Sequence, residues 1–238
     1  MSALFPGGTS VSELRVYPWE TPDDRHGGSP HMHLVCTEGY LVLDGDGAVQ
    51  TLTTAGFAET PLRPGDVVWF TPGTIHRLIN GDGRLRLNVV MQNDGLPEAG
   101  DAVLTYPPEH LVDRATYDAA TSLVDADTGL PDERRARARR DLAIAGFARL
   151  RKAAEAGDPE PLRAFHAAAA HLVSGLLDEW RRRWSSTAAE AARRTGAQLD
   201  ALAGGDHGHL REAEVRRVPR PEQTALGMCG YLSRFDLR

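Results

Sequence analysis

Between residues 10 and about 105 the apolar positions fall into short β-branched runs with no helical period. These are Leu34-Val35, Tyr40-Leu41-Val42-Leu43, Val49-Gln50-Thr51-Leu52, Val67-Val68-Trp69-Phe70 and the stretch from Leu85 to Met91. Turn formers separate them: Asp44-Gly45-Asp46-Gly47, Arg63-Pro64-Gly65-Asp66, Thr71-Pro72-Gly73 and Asn80-Gly81-Asp82-Gly83. Short strands punctuated in this way predict an antiparallel sandwich or barrel. After Pro107-Pro108 the pattern changes to alanine and arginine with few β-branched residues. One helix is predicted from about 132 to 156, carrying Leu142, Ile144, Phe147 and Leu150 and ending near Gly157. Asp158-Pro159 then starts a second, in which Leu162, Phe165, Ala169, Leu172, Leu176 and Trp180 recur every three or four residues as one apolar stripe. A third follows Thr187-x-x-Glu190, a capping-box pattern, and stops at Gly204-Gly205.

These patterns divide the chain into a β-barrel region over 10–105, a connecting segment over 106–130 and a mostly helical C-terminal extension over 131–238. The segment from Leu226 to Leu237 alternates weakly, which fits either a strand returning to the sheet or an arm covering a partner subunit. The helical stripe must be buried either on the outside of the barrel or between subunits.

Composition narrows the function classes. A chain of 238 residues can bury a substantial core without disulfides, and its two cysteines, Cys36 and Cys229, suit a reducing cytoplasm, with a single bridge between them the alternative. The first twenty residues lack the basic and apolar regions of a secretion signal, and no stretch approaches the ~20 apolar residues of a membrane span. A soluble, cytoplasmic protein with no membrane partner is expected. The net charge of −6 argues against nucleic acid as a partner. Arg134, Arg135, Arg137, Arg139 and Arg140 form a basic run, but Asp132, Glu133 and Asp141 flank it, which predicts a solvated helix face.

The chemistry concentrates in His31-Met32-His33, with Glu38 five residues further on and His76 beyond two more turns. Residues two apart on a strand face the same side, so His31 and His33 point inward together, with Glu38 expected from the neighbouring strand and His76 from a third. Three imidazoles and a carboxylate suit one divalent transition metal. Four ligands leave positions open on an ion that accepts five or six, as a catalytic site needs. Fe or Mn is the first expectation, and Ni, Cu or Zn also fit a thiolate-free donor set. Cys36 has the opposite strand parity and reads as a packed thiol.

The glycines around these residues complete a recognisable order. Glu38 is followed by Gly45, and Gly65-x5-Thr71-Pro72-Gly73-x2-His76-x3-Asn80 follows in turn. Over residues 25 to 92 the chain resembles the cupins, whose motifs run Gly-x5-His-x-His-x3,4-Glu-x6-Gly and Gly-x5-Pro-x-Gly-x2-His-x3-Asn. Arg25 and Thr71 depart from the pattern at turn positions. The resemblance implies a cupin β-barrel or jelly roll followed by an α-helical region, with a metal at His31, His33, Glu38 and His76. It also implies a small-molecule substrate, and family members often pair as homodimers.

Fold alone does not name the reaction. An oxygenase-type enzyme acting on a small oxygen-rich metabolite chelated at the metal is the first expectation. A sugar or sugar-phosphate isomerase or epimerase is the second, weakened by few cations in the barrel: Arg63, Arg77, Arg84 and Arg86. A non-catalytic ligand-binding or regulatory protein is the third. Around the metal, strand parity nominates Tyr40, for substrate hydrogen bonding or for packing. It also nominates Asn88 and Gln92, as ligand-orienting amides or as plain exposed positions. Of Trp69 and Phe70 one is expected in the core and one outside. Arg77 should point away from the metal, and Asp206-His207-Gly208-His209 reads as a flexible loop.

Overall fold

The computed structural model describes residues 4–237, in which eleven strands and five α-helices are formed. The strands are β1 (Ser10–Val16), β2 (His31–His33), β3 (Glu38–Asp44), β4 (Gly47–Thr53), β5 (Gly56–Leu62), β6 (Val67–Phe70), β7 (Ile75–Asn80), β8 (Arg86–Met91), β9 (Ala102–Leu104), β10 (Ala225–Leu226) and β11 (Gly230–Arg234). They make two antiparallel sheets, ordered β10-β11-β1-β8-β3-β6 and β5-β4-β7-β2-β9. The architecture is a jelly-roll-like sandwich with free edges, and not the closed barrel that the sequence also allowed. Sheet edges remain at β10 and β6 and at β5 and β9.

Helices α1 (Arg114–Thr121), α2 (Glu133–Glu155), α3 (Glu160–Val173), α4 (Leu177–Ser186) and α5 (Ala188–Ala203) follow the strands. α1 lies inside the segment read as a connector, and its start is fixed by Asp113 Oδ1, which accepts from Thr116 N at 2.8 Å. The single helix predicted after Pro159 is interrupted by a 3-10 turn at Ser174–Leu176, where Ser174 Oγ donates to the His171 carbonyl at 2.8 Å. The predicted capping box does not form either. Thr187 Oγ1 donates back to the Arg183 carbonyl at 2.8 Å, and Glu190 is held by Arg193 and Arg194.

The helical stripe is buried within the chain itself. Leu162, Phe165, Ala169 and Leu172 join Phe147, Leu150 and the sheet residues in one continuous core, so this stripe calls for no partner subunit. α2 docks where a side chain is absent. A Cβ at Gly146 would stand 1.9 Å from the Thr105 carbonyl oxygen, and Thr105 Oγ1 donates to the Ala143 carbonyl at 2.9 Å. The basic run at the start of α2 departs from the expected solvated face: Arg139 and Arg140 are only 6% and 2% exposed. Arg140 reaches the carbonyls of Trp19 and Glu20 at 3.2 and 2.7 Å, tying the helix to the loop after β1.

Covered on both faces, β7 is buried along its whole length. Its outward Arg77 meets Asp23 through two hydrogen bonds of 2.6 and 2.9 Å, and Thr21 Oγ1 at 3.1 Å. No helix among the described residues is long and apolar enough to cross a membrane.

Two outcomes are expected. Gly146→Ala should cost roughly 1–3 kcal/mol in urea unfolding, because backbone must move to admit one methyl group. Asp23→Asn should cost a similar roughly 1–3 kcal/mol at pH 7, since it strips the counterion from a buried guanidinium, the figure being reduced because Asp23 is partly solvated. Burial works to raise the Asp23 carboxyl, but the hydrogen bonds from Arg77 and Thr21 outweigh it and hold it at about 2. The stabilisation is therefore complete above the ordinary carboxyl range and lost as pH falls towards 2. Unfolding at stepped pH should show the variant converging on the wild type over that window.

Candidate metal centre

Register brings the histidines together. β2 lies between β7 and β9, with His31 directly opposite His76 on one side and Leu104 on the other. His31, His33 and His76 consequently share one face of their sheet. Glu38 opens β3 in the facing sheet, opposite Met91 and Phe70, so the carboxylate crosses the sandwich to reach the imidazoles. The expectation that Glu38 sits on the neighbouring strand is corrected here: the chain changes sheets between His33 and Glu38.

The four side chains are almost fully buried and can each offer one ligand atom, all within 4.8 Å of one another. His76 Nε2 is 3.1 Å from His31 Nε2 and 3.0 Å from Glu38 Oε2, and His33 Nε2 is 3.2 Å from the same oxygen. The opposite side of each ring decides what these contacts are. His31 Nδ1 bonds the Ser29 carbonyl at 3.0 Å, His76 Nδ1 the Thr74 carbonyl at 3.1 Å, and His33 Nδ1 the Asp101 carboxylate at 3.0 Å. Those oxygens only accept, so each Nδ1 carries a proton, and each ring in its neutral form turns an Nε2 lone pair inward. Glu38 Oε2, though close to two rings, has no hydrogen bond aimed at it. Lone pairs gathered this closely repel unless a cation lies among them. Donors about 3.0 Å apart match adjacent corners around an ion with bonds of about 2.1 Å. The residues present fit a divalent metal.

Electrostatics agree with a site built for a cation. Burial, and then the neighbouring His76 and His33, push His31 well below the usual imidazole range. Burial alone would raise Glu38, but His76 and His33 outweigh it and keep the carboxylate ionised. Burial would lower His33, yet Asp101 and Glu38 lift it to about 9, so with no metal among the donors this ring keeps a second proton at neutral pH, which a metal ion at Nε2 would displace.

Asp101, fully buried, is the residue that sequence reading missed. Its carboxylate accepts from His33 Nδ1 and from the backbone N–H groups of Leu34, Val35 and Cys36 at 2.9 to 3.2 Å. It thereby orients the His33 ring and shapes the turn that carries the chain across to Glu38. In the sequence it is one acid in a polar loop, and no local pattern marks it. Cys229 was also missed as a neighbour of the site: its thiol donates to the Ser29 carbonyl at 3.5 Å and lies 3.9 Å from His31 Nδ1. Both cysteines are free and buried.

A cavity of about 310 Å³ opens at His31, His33 and Glu38, walled by Leu14, Tyr40, Val89 and Met91 and bordered by Gly227 to Cys229. Tyr40 is 1% exposed, its ring edge-on to Phe70 at 5.3 Å. Burial, then the Glu38 charge, keeps its phenol protonated far above the ordinary range. Phe70 packs on His76 at 4.2 Å while Trp69 is 69% exposed, the division expected for that pair. The structure does not bring Asn88 and Gln92 to the cluster. On β8 the buried positions are Leu87, Val89 and Met91, so Asn88 lies on the outer face, and the exposed Gln92 accepts from Thr37 N at 3.3 Å. Among the described residues, the four-residue group is the one cluster suited to a metal, and His207 and His209 do not form a second.

The family model of the cupin domain matches residues 19–91, the stretch that contains all four cluster residues. This stretch of the chain is a cupin domain. Solved structures resembling this cupin include an uncharacterised conserved protein with a double-stranded beta-helix domain from Klebsiella pneumoniae, 16% identical over 39% of this chain and 75% of that one, with a TM-score of 0.30. Another is the CENP-C cupin domain of Drosophila melanogaster, 21% identical over 35% of this chain and 56% of that one, TM-score 0.31. A third is WlaRA, a TDP-fucose-3,4-ketoisomerase from Campylobacter jejuni, 11% identical over 38% and 64%, TM-score 0.32. The last two are matched over less than two thirds of their own length, and none of these likenesses bears on the function of this cupin. No curated protein matches the chain.

Asp101→Asn should weaken binding of a divalent ion by roughly 10–100-fold, because the amide turns a donor towards His33 Nδ1 and Cys36 N. It should also lower folding stability by about 2–4 kcal/mol, since buried N–H groups lose their acceptor. Titration of Mn(II) or Zn(II) against a chromophoric chelator, alongside urea unfolding, reads the two effects separately.

Proposed function

We propose that the chain is a mononuclear, divalent-metal-dependent enzyme of oxygenase type, acting on a small oxygen-rich molecule that chelates at the cluster. The observation that carries the metal reading is the convergence of three Nε2 lone pairs and an unbonded carboxylate oxygen in a buried site. When bound, a divalent ion supplies Lewis-acid polarisation of a chelating oxygen, and a redox-active ion such as Fe(II) adds the electrons that oxygen chemistry requires. Fe or Mn is the favoured ion.

The remaining steps belong to the protein. His31, His33, Glu38 and His76 would hold the ion from one side, leaving the cavity side open to substrate. Asp101 keeps His33 in the tautomer that presents Nε2 inward. Apolar walls from Leu14, Val89 and Met91 exclude water around the reacting oxygens. The protonated Tyr40 hydroxyl lies beside Glu38 on the cavity wall, a neutral donor to that carboxylate that would also reach a substrate oxygen bound there.

Metal analysis of protein purified without chelators should find close to one ion per chain, and His76→Ala should lose at least nine tenths of it. Removing the ion with a chelator should lower Tm by several degrees and restoring it should reverse the loss. Oxygen uptake with diketones, catechols and enediols then tests the reaction. Stoichiometric metal with no uptake by Fe(II)-loaded protein would overturn the oxygenase reading, and wild-type metal content in His76→Ala would overturn the site.

A further inference from the structure

α2 contributes one side chain to the cavity lined by His31, His33 and Glu38: Arg139. It is 6% exposed, and its Nη2 donates to the Gly227 carbonyl at 2.5 Å, an oxygen that also accepts from Tyr17 Oη at 2.9 Å. Its Nε is buried with no hydrogen-bond partner. The other buried arginines are compensated. Arg77 has Asp23 at 2.6 Å, and Arg140 has Asp141 at 2.7 Å together with two carbonyls. Among the described residues no carboxylate lies within ion-pair distance of Arg139. The other acid on the cavity wall besides Glu38 is Glu98, and Arg234 occupies it at 3.1 Å.

A guanidinium is charged at every physiological pH, and burying one without a counterion costs several kcal/mol. Such a charge is tolerable where a ligand brings the missing anion. The Gly227 carbonyl anchors one arm of Arg139 and leaves Nε–H free, which suits a carboxylate accepting from the guanidinium edge through two parallel hydrogen bonds. The geometry points to Arg139 as the residue that recognises a carboxylate on the small molecule bound in this cavity, so that the ligand is an organic acid. This rests on the reading of the cavity as the substrate site. It narrows the substrate from any oxygen-rich metabolite to one carrying a carboxylate as well as the oxygens that chelate. It also gives the helical half a role, since a cupin sandwich without α2 would lack the charge.

The test uses the full chain in both metal-free and Mn(II)-loaded forms, so that it does not depend on the metal. Lactate, pyruvate, 3-hydroxybutyrate and salicylate are titrated against their amides by calorimetry at low ionic strength. At least one acid is expected to bind 10-fold or more tightly than its amide, and Arg139→Met should bring that ratio to about one with metal content unchanged. Arg139→Lys should keep part of the preference. In wild-type protein the Arg139 Nε–H resonance, assigned by its loss in Arg139→Lys, should shift on adding the acid and stay in place with the amide. This reading survives a failure of Arg139→Met to fold, whereas a purely structural arginine would show neither the shift nor the preference. No acid preferred over its amide by wild-type protein, or an acid preference unchanged in Arg139→Lys and Arg139→Met, would overturn the proposal. If His76→Ala keeps its metal while the acid preference persists in metal-free protein, the metal reading fails and this one stands.

Discussion

Three imidazole rings are each fixed by an Nδ1 hydrogen bond to an oxygen that can only accept, and the site depends on that constraint. With Ser29, Thr74 and Asp101 as the acceptors, the neutral rings turn their Nε2 lone pairs inward. The resulting repulsion between His31 and His76 at 3.1 Å would be unfavourable in an ordinary core. The sandwich withstands it because β2 is hydrogen-bonded on both sides and cannot shift without breaking two ladders. The fold thus holds an arrangement that a cation relieves, whether a metal ion or an added proton on an Nε2.

Asp101 shows how few groups perform this positioning. One carboxylate bonds the His33 ring and three consecutive backbone N–H groups, so the orientation of His33 and the path from β2 to β3 are the same physical fact. Burial would raise its carboxyl, but the hydrogen bond and charge of His33 and the donors of the turn outweigh it and hold it below the usual range. The carboxylate therefore stays ionised where a second negative charge, beside Glu38, helps attract a cation.

The sheets and the four cluster residues were legible in the sequence because both are set by short-range rules. Strand parity puts His31 and His33 on one face, and Gly45 and Asn80 mark turns with local demands. Gly45 has φ +75°, and the Asn80 side chain spans Val16 O and Leu85 N. Asp101, Cys229 and Arg139 were not legible, for the opposite reason. Each reaches the site from a distant part of the chain by packing, and its immediate neighbours look like those of any polar loop or solvated helix. Parity also failed for Asn88. The sequence shows that Asn88 and Gln92 share strand parity, but only the pairing of β8 with β1 and β3 shows that Asn88 lies on the outer face, and Gln92 lies just beyond the strand.

The same contrast explains why a sandwich of this size carries a helical half. Residues 19–91 supply every cluster residue, yet they do not close the cavity. Closure comes from β11, which returns to pair with β1, and from α2, whose Arg139 and Arg140 fasten to backbone carbonyls at Gly227, Trp19 and Glu20. Carbonyl anchoring fixes these arginines in place while leaving the Arg139 charge uncompensated, a combination that a structural strut does not require and an anion-binding wall does. On the proposed reading the cupin half sets where a metal would sit, and the added half would set which molecules approach it.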